Sequence, residues 1–365
     1  MLESSTPLLI TPTPESHRYE VVVGSGVGAT LSQHLTQRGY SAVLAVVDRA
    51  VADFWGQLAL ALTVPYSTLL WDGGESRKGF EALASLWQQF LAAELDRKSV
   101  VISVGGGAQG DLIGFAGATF KRGLSVIQVP TTLLSQVDAS IGGKTAINFG
   151  GVKNLVGVIY HPTLVLVDTQ SLGSLPERDL CSGMAEVLKH GLICDSEYFA
   201  RSAERDFVTL NEDERVSLIR RSLEIKAALA AADPFERAER KLLNFGHTVG
   251  HALEALSFEG ETSLTHGEAI ALGMLVEARI SVTMGLLDTG VIPTLEEALR
   301  RQKLPTTLPF SVTVKAIQGK IAEDKKNVGK EVRWTLLTGI GSAVFDQLVP
   351  EETVVAAISE LPTVA

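Results

Sequence analysis

Apolar positions along this chain follow two different periods. As far as about Val167, short runs rich in β-branched residues alternate with stretches of helical period; beyond it the helical period dominates. Tyr19 to Val23, Ala42 to Val47, Tyr66 to Trp71 and Val100 to Val104 read as strands, and a long amphipathic helix is expected up to about Leu95. Strands alternating with helices predict a mostly parallel sheet covered on both faces. The pattern changes at SLGSLP, Ser171 to Pro176. After it, helices are expected over Glu177 to Ile193, Asp213 to Ala231, Arg237 to Leu256 and His266 to Gly285, with a late hairpin from Glu331 to Leu337 and Ala343 to Leu348. The expected organisation is an α/β nucleotide-type domain over 1–175 and a mainly helical domain over 176–365, with the cleft between them as the expected active site.

Glycines mark the expected ligand contact of the first domain, the alternative being a tight strand-to-helix turn with no ligand. The strand Val100 to Val104 runs into Gly105, Gly106 and Gly107, then Gly110 and Asp111 and a helical pattern. A strand that ends in glycines and opens a helix lets the backbone approach a phosphate, because no Cβ intervenes and the helix start favours negative charge. Arg122, Thr131, Thr132, Asp138, Lys144, Lys153 and Asn154 follow in what read as short connections. The earlier GSGVGAT stretch is different. Its third glycine comes too early for a dinucleotide fingerprint, so it is expected to be a plain helix start. Asp48, at the end of its strand, is expected from position alone to cap the next helix.

Composition narrows the class. The chain has 365 residues, 45% hydrophobic and 20% charged, with a formal net charge of −10. That balance disfavours nucleic acid, which needs a basic surface, and points to a small anionic ligand held by local lysines. Two cysteines, Cys181 and Cys194, give no disulfide framework and suggest a reducing cytoplasm. The start MLESSTPLLITPTPE lacks the pattern of a secretory signal, and no apolar stretch is long enough for a membrane span.

Histidines supply the second chemistry. His247 and His251 lie four apart in NFGHTVGHALEAL, on one helical face; His266 opens THGEAIALGM; Glu186 lies one turn before Lys189 in MAEVLKHG. Two imidazoles and a carboxylate make a catalytic zinc set with an open position for substrate. Spacing alone leaves open which two histidines bind. His247 with His251 is the simplest pair, but HTVGH lacks the glutamate of the HExxH zinc motif.

Together these stretches resemble the 3-dehydroquinate synthase family. GGGAQGDLIGFAGATFKRG, VPTTLLSQVDASIGGKTAIN, KNLVG, SGMAEVLKHG, LEIKAALAAADPFER, LLNFGHTVGHALE, HGEAIALGM and DKKN occur in family order between Asp72 and Asn327. The resemblance implies a Rossmann-like N-terminal domain, NAD, and one divalent metal, zinc or cobalt, on Glu186, His247 and His266, which makes His251 a substrate contact. It implies NAD on Gly105, Gly106, Gly107, Gly110 and Asp111, with Asp48 at the adenine ribose and Glu75, Ser76, Arg77, Lys78, Thr131, Thr132, Lys144, Lys153 and Ser174 around it. The implied substrate is a phosphorylated sugar acid, 3-deoxy-arabino-heptulosonate 7-phosphate. Lys144, Asn154, Asn244, His251 and the pair Lys325 and Lys326 would meet its phosphate, with Arg122 reaching in from the other subunit of a homodimer. Lys226 and Arg240 would meet its carboxylate, both projecting from helices, with Arg240 two turns before His247 on the same one. Asp138 and Lys189 would hold ring hydroxyls, with Glu236 nearby. The linker Ser257 to Thr265 and the turn GGESRK depart from the family's usual form. Other functions built on such residues are a sister cyclase such as 2-deoxy-scyllo-inosose synthase, a metal-dependent polyol dehydrogenase, or a non-catalytic NAD-binding regulator. The lysine and arginine array argues against a neutral polyol as substrate, and the metal triad against a regulator.

Overall fold

Residues that alternate between two apolar faces build the centre of the first unit. In β3 (Val43–Asp48) and β5 (Val100–Gly105), Val43, Ala45, Val47, Val100, Ile102 and Val104 pack on one face, and Leu44, Val46 and Val101 on the other. Such strands are buried on both sides, as a parallel sheet requires. The computed structural model describes residues 8–10, 18–260, 262–323 and 331–363. Its main sheet also contains β1 (Leu8–Ile10), β2 (Tyr19–Gly24), β4 (Ser67–Trp71), β6 (Ser125–Pro130) and β9 (Leu164–Asp168). The order is β1-β2-β9-β6-β5-β3-β4, and every pairing is parallel except β1 with β2. Helices α1 (Gly28–Arg38), α2 (Ala52–Ala59), α3 (Phe80–Ala92) and α4 (Gly107–Thr119) connect these strands. The GSGVGAT glycines lead into α1: a Cβ on Gly28 would lie 2.8 Å from Leu58 O, so the glycine serves packing there. The expected strands and parallel sheet are all present.

The chain leaves β3 for β4 on one side and returns to β5 on the other. That reversal opens a crevice beyond the carboxyl ends of β3 and β5, the usual ligand position in such sheets. Asp48 ends β3 and Gly105 ends β5, and the two strands pair Val47 with Val104 one residue earlier. Lys144, Lys153 and Asn154, expected in loops, lie instead on an antiparallel hairpin, β7 (Lys144–Phe149) and β8 (Val152–Ile159), outside the main sheet. Alternating Thr145 and Ile147 are buried, and that pins β7 as a strand.

The second unit holds α5 (Glu177–Cys194), α6 (Ser196–Glu204), α8 (His247–Glu259), α9 (His266–Thr283), α10 (Val291–Arg301), α11 (Val314–Glu323) and α12 (Glu351–Ser359). The late hairpin is β10 (Trp334–Gly339) with β11 (Ser342–Gln347). Its core joins Val249, Leu253, Leu272, Val276, Trp334 and Leu336. The first unit ends at Pro176, beside the expected boundary, but it also includes Glu212–Ala231 of α7 (Glu212–Ala232). Hydrophobic period finds a helix there and carries no information on which core it joins.

One expected helix is broken. Arg237 to Leu256 is not continuous: residues Glu239–Asn244 form a 3-10 turn, Gly246 sits at φ 81°, and α8 begins at His247. Arg240 therefore does not share a helix face with His247. Among the described residues, no helix is long and apolar enough to cross a membrane. Lys325 and Lys326 lie outside the described residues.

Candidate functional site

In the first unit, the glycine run packs closely against its neighbours, which a Cβ at each position would crowd. A Cβ on Gly105 would lie 2.8 Å from Gln109 Cδ, on Gly106 3.2 Å from Thr132 Cγ2, and on Gly107 3.0 Å from Ala139 Cβ. Gln109 bridges the crevice by donating to the carbonyls of Val46 and Val104 at 3.0 and 2.9 Å. Asp48 accepts from the Ala50 N–H at 3.0 Å, the cap expected from its position. A Cβ on Gly73 would lie 2.2 Å from Asp48 Oδ2, so this turn closes over Asp48 only because it is glycine. The N-cap of α4, Gly106, has no side chain to occupy the helix start, which leaves that end shaped for an anionic ligand.

Charged side chains then line the mouth. Lys78 is buried and donates to Asp111 Oδ2 at 2.7 Å, with Glu75 Oε2 at 3.7 Å. Burial pushes the Asp111 carboxyl up, against the pull of Lys78. Asn148 donates to Glu75 Oε1 at 2.9 Å and accepts from the Asn154 N–H at 2.9 Å, tying the hairpin to the Glu75 turn. Arg77 turns away to Asp72 and Ser174 is exposed, while Thr131 is buried and Thr132 closes a hydrogen-bonded turn with Ser135. A cleft lined by Gly106, Gly110, Asp111, Ser140, Lys144 and Tyr160 continues this surface. Lys226, from α7, donates to Asp138 Oδ1 at 2.6 Å and to the Asp138 carbonyl at 2.5 Å. Arg122 is exposed on a turn in which Lys121, Arg122 and Gly123 all have positive φ, at 49°, 68° and 122°. Holding two non-glycine residues there costs about 1–3 kcal/mol each.

In the second unit, Asp233 organises the loop carrying Glu236 and Arg240. Its carboxylate accepts from the backbone N–H of Arg237, Ala238 and Arg240 at 2.9, 2.6 and 3.3 Å. Burial alone would raise this carboxyl, but those donors outweigh it and hold it below the usual carboxylate range. Arg240 is 2% exposed and donates to the Pro234 carbonyl at 3.1 Å; Asn244 donates to Glu236 Oε1 at 2.8 Å. Sequence reasoning missed Asp233, although Asp before Pro followed by polar residues is a turn signal.

The metal candidates converge in the same unit. Ligand atoms of Glu186, His247 and His266 lie within 4.8 Å of one another. Each histidine has Nε2 at 3.5 Å from Glu186 Oε1. Glu186 is fully buried in α5 and forms an ion pair with the buried Lys189 one turn on. His247 Nδ1 lies 3.1 Å from the Phe245 carbonyl, and the tautomer assigned from that contact donates to it and leaves Nε2 for a metal. His251 completes a three-ring cluster, its centroid 5.1 Å from His247 and 5.9 Å from His266. The donor set, two imidazoles and a carboxylate, fits a divalent ion with open positions. Glu254, one turn after His251, was not singled out; its Oε2 lies 3.6 Å from His266 Nδ1, where it orients the ring. The start of α9 is a capping box of Thr265 and Glu268, legible as TxxE in the sequence. Arg178 of α5 grips Glu268 with two hydrogen bonds of 2.7 Å.

Burial disfavours the charged form of His266, but Glu186 and Glu254 outweigh it and raise the imidazole to about 9. A metal must displace that proton. In protein stripped by chelation, affinity for zinc or cobalt is therefore expected to rise with pH and level off above about 9. Calorimetry in buffers of different ionisation enthalpy should find about one proton released per ion near neutral pH. An affinity independent of pH would remove His266 from the ligand set.

The chain is similar to known proteins over most of its length. A model described as 3-dehydroquinate synthase N-terminal matches residues 68–182, and one described as 3-dehydroquinate synthase C-terminal matches residues 183–327. The chain is 40% identical over 339 residues to a 3-dehydroquinate synthase of Symbiobacterium thermophilum, covering 90% of this chain and 93% of that protein. A crystal structure of 2-deoxy-scyllo-inosose synthase complexed with carbaglucose-6-phosphate, NAD+ and Co2+ is similar with a TM-score of 0.86 at 25% identity, covering 97% of this chain and 100% of that one. The structure of 2-epi-5-epi-valiolone synthase from Streptomyces hygroscopicus subsp. jinggangensis 5008, with NAD+ and Zn2+ bound, is similar with a TM-score of 0.82 at 28% identity, covering 94% and 96%.

Proposed function

The chain belongs to the 3-dehydroquinate synthase family, and from that premise we propose how its residues divide the conversion of 3-deoxy-arabino-heptulosonate 7-phosphate to 3-dehydroquinate and phosphate. The observation that carries the reading is the convergence of Glu186, His247 and His266 in a chain of this family. When bound, NAD would supply a hydride acceptor that later returns the hydride, and a divalent ion on those three residues would make a substrate hydroxyl more acidic. Gly105, Gly106, Gly107, Gly110 and Asp111 would hold NAD, with Asp48 at its ribose and Glu75, Ser76, Arg77, Lys78, Thr131, Thr132, Lys153 and Ser174 around it.

The remaining residues bind and orient. Arg240 suits the substrate carboxylate through its paired donors, and Lys226 adds a point charge. Lys226 now faces Asp138, so binding would exchange one carboxylate partner for another. Lys144, Asn154, Asn244, His251 and the pair Lys325 and Lys326 would take the phosphate. Arg122, held outward by its strained turn, would complete that site in a second copy of the chain, making a homodimer the active form. Asp138, Lys189 and Glu236 would fix the ring hydroxyls, so that one conformer reacts. Two free cysteines, one buried and one exposed, fit a reducing cytoplasm.

The test supplies the heptulosonate phosphate with substoichiometric NAD. Inorganic phosphate should appear over many turnovers per NAD, with no accumulation of NADH. Product in strict proportion to NAD would identify a dehydrogenase, and phosphate release from glucose 6-phosphate alone would identify a sister cyclase.

A further inference from the structure

The first turn of α8 cannot cap itself. Its N-cap residue, Gly246, has no side chain, and its third residue, Val249, has no carboxylate. In a capping box, the N-cap side chain accepts from the third N–H and the third side chain accepts from the N-cap N–H. Gly246 cannot be traded for a capping residue. Its φ is 81°, and a Cβ there would lie 2.6 Å from Met274 Cγ and 3.1 Å from the Ile270 carbonyl.

Another helix makes both bonds. Glu277 of α9 is 0% exposed. Its Oε2 accepts from the Gly246 N–H at 2.6 Å and its Oε1 from the Val249 N–H at 3.2 Å. A carboxylate at the positive end of a helix is electrostatically favoured. Gly273, one turn earlier on α9, permits the approach, since a Cβ there would lie 2.0 Å from the Gly246 carbonyl.

We infer that Glu277 is the positioning residue for His247. His247 lies between the two gripped amides, and its ring is referenced to the Phe245 carbonyl immediately before them. The orientation of Nε2 therefore depends on where Glu277 holds the start of α8. This rests on the reading of His247 as a metal ligand.

The test measures cobalt binding by protein stripped of metal. Glu277→Gln keeps the shape but turns an amide NH2 toward a backbone N–H. It is expected to weaken cobalt affinity roughly 10–100-fold, the usual cost of losing an outer-shell partner, and to change the visible absorption of bound cobalt. Leu299→Ala, in the buried face of α10, is the matched control: it should lower the melting temperature and leave affinity and spectrum unchanged. If Glu277→Gln does not fold, Glu277→Asp, which keeps the charge and shortens the reach, is read the same way. Wild-type affinity and spectrum in a folded Glu277 variant would reduce Glu277 to a structural cap and overturn the inference. His247→Ala is measured alongside. Cobalt bound there as in the wild type would instead overturn the ligand set itself.

Discussion

Glu186→Gln is expected to lower kcat/KM by about a thousandfold or more, with metal content falling and added zinc or cobalt failing to restore activity. The side chain is 0% exposed, and its Oε1 is 3.5 Å from Nε2 of both His247 and His266, which places its charge against both imidazoles. A metal that polarises oxygen contributes several kcal/mol to the transition state. About 4 kcal/mol corresponds to about three decades of rate. The amide keeps one oxygen but loses the charge that attracts the ion. It also removes the anion facing Lys189, which is 1% exposed, and breaking a buried pair typically costs about 3–5 kcal/mol of stability. Activity and unfolding must therefore be measured together, with metal analysis on the same sample. A folded variant that retains metal and most of its activity would remove Glu186 from the site.

The second large effect is expected from a single methyl group. Gly267 directly follows His266, and a Cβ on it would lie 2.0 Å from the Ser182 carbonyl oxygen and 2.5 Å from Ser182 C and Cα. These are backbone atoms of α5, one turn before Glu186, and cannot rotate aside. The Gly267 N–H also donates to Ser182 Oγ at 2.9 Å. Gly267→Ala must therefore separate α5 from α9, and with them the candidate ligands Glu186 and His266. Overpacking of this kind costs typically 1–3 kcal/mol, with backbone contacts at or above about 3. At roughly 2–4 °C per kcal/mol, the melting temperature should fall by roughly 6–12 °C. Metal affinity should fall in the same variant. Gly319→Ala is the contrast: a Cβ in that α11 position meets nothing within 4 Å, and the change should be neutral or stabilising by about 0.4–1 kcal/mol. Equal melting temperatures for the two variants would mean that the contact of α5 with α9 is not tight.

How much of this was legible in the sequence differs from element to element. The strands β3 and β5 were, because alternation on a buried sheet is a local property of five or six residues. The glycine end of β5 was legible for the same reason. The helix expected from Arg237 to Leu256 was not: its apolar period runs through a 3-10 turn and a left-handed Gly246, and period does not report φ. Lys144, Lys153 and Asn154 looked like loop residues because glycines flank them, yet pairing of β7 with β8 makes them strand positions.

The sequence by itself determined the alternation of strands and helices, the bare backbone at Gly105 to Gly107, and the chemical types gathered in the motifs around Glu186, His247 and His266. These depend on side chains and conformations within a few residues. Tertiary structure alone decided the rest. His247 and His251 share a helix face, and spacing could not rank either of them against His266. Tertiary contact brings Glu186, on α5, to 3.5 Å from His247 across 61 residues of chain, and Glu254 to 3.6 Å from His266. Where α8 starts is likewise decided by Glu277, 31 residues after Gly246, because a glycine N-cap cannot supply its own acceptor. The partner of α7 is decided by Asp138, 88 residues before Lys226. Each is a contact between segments whose sequences carry no mark of one another. Local pattern limits what each segment can be, and burial of charge and closeness of backbone then select how the segments meet.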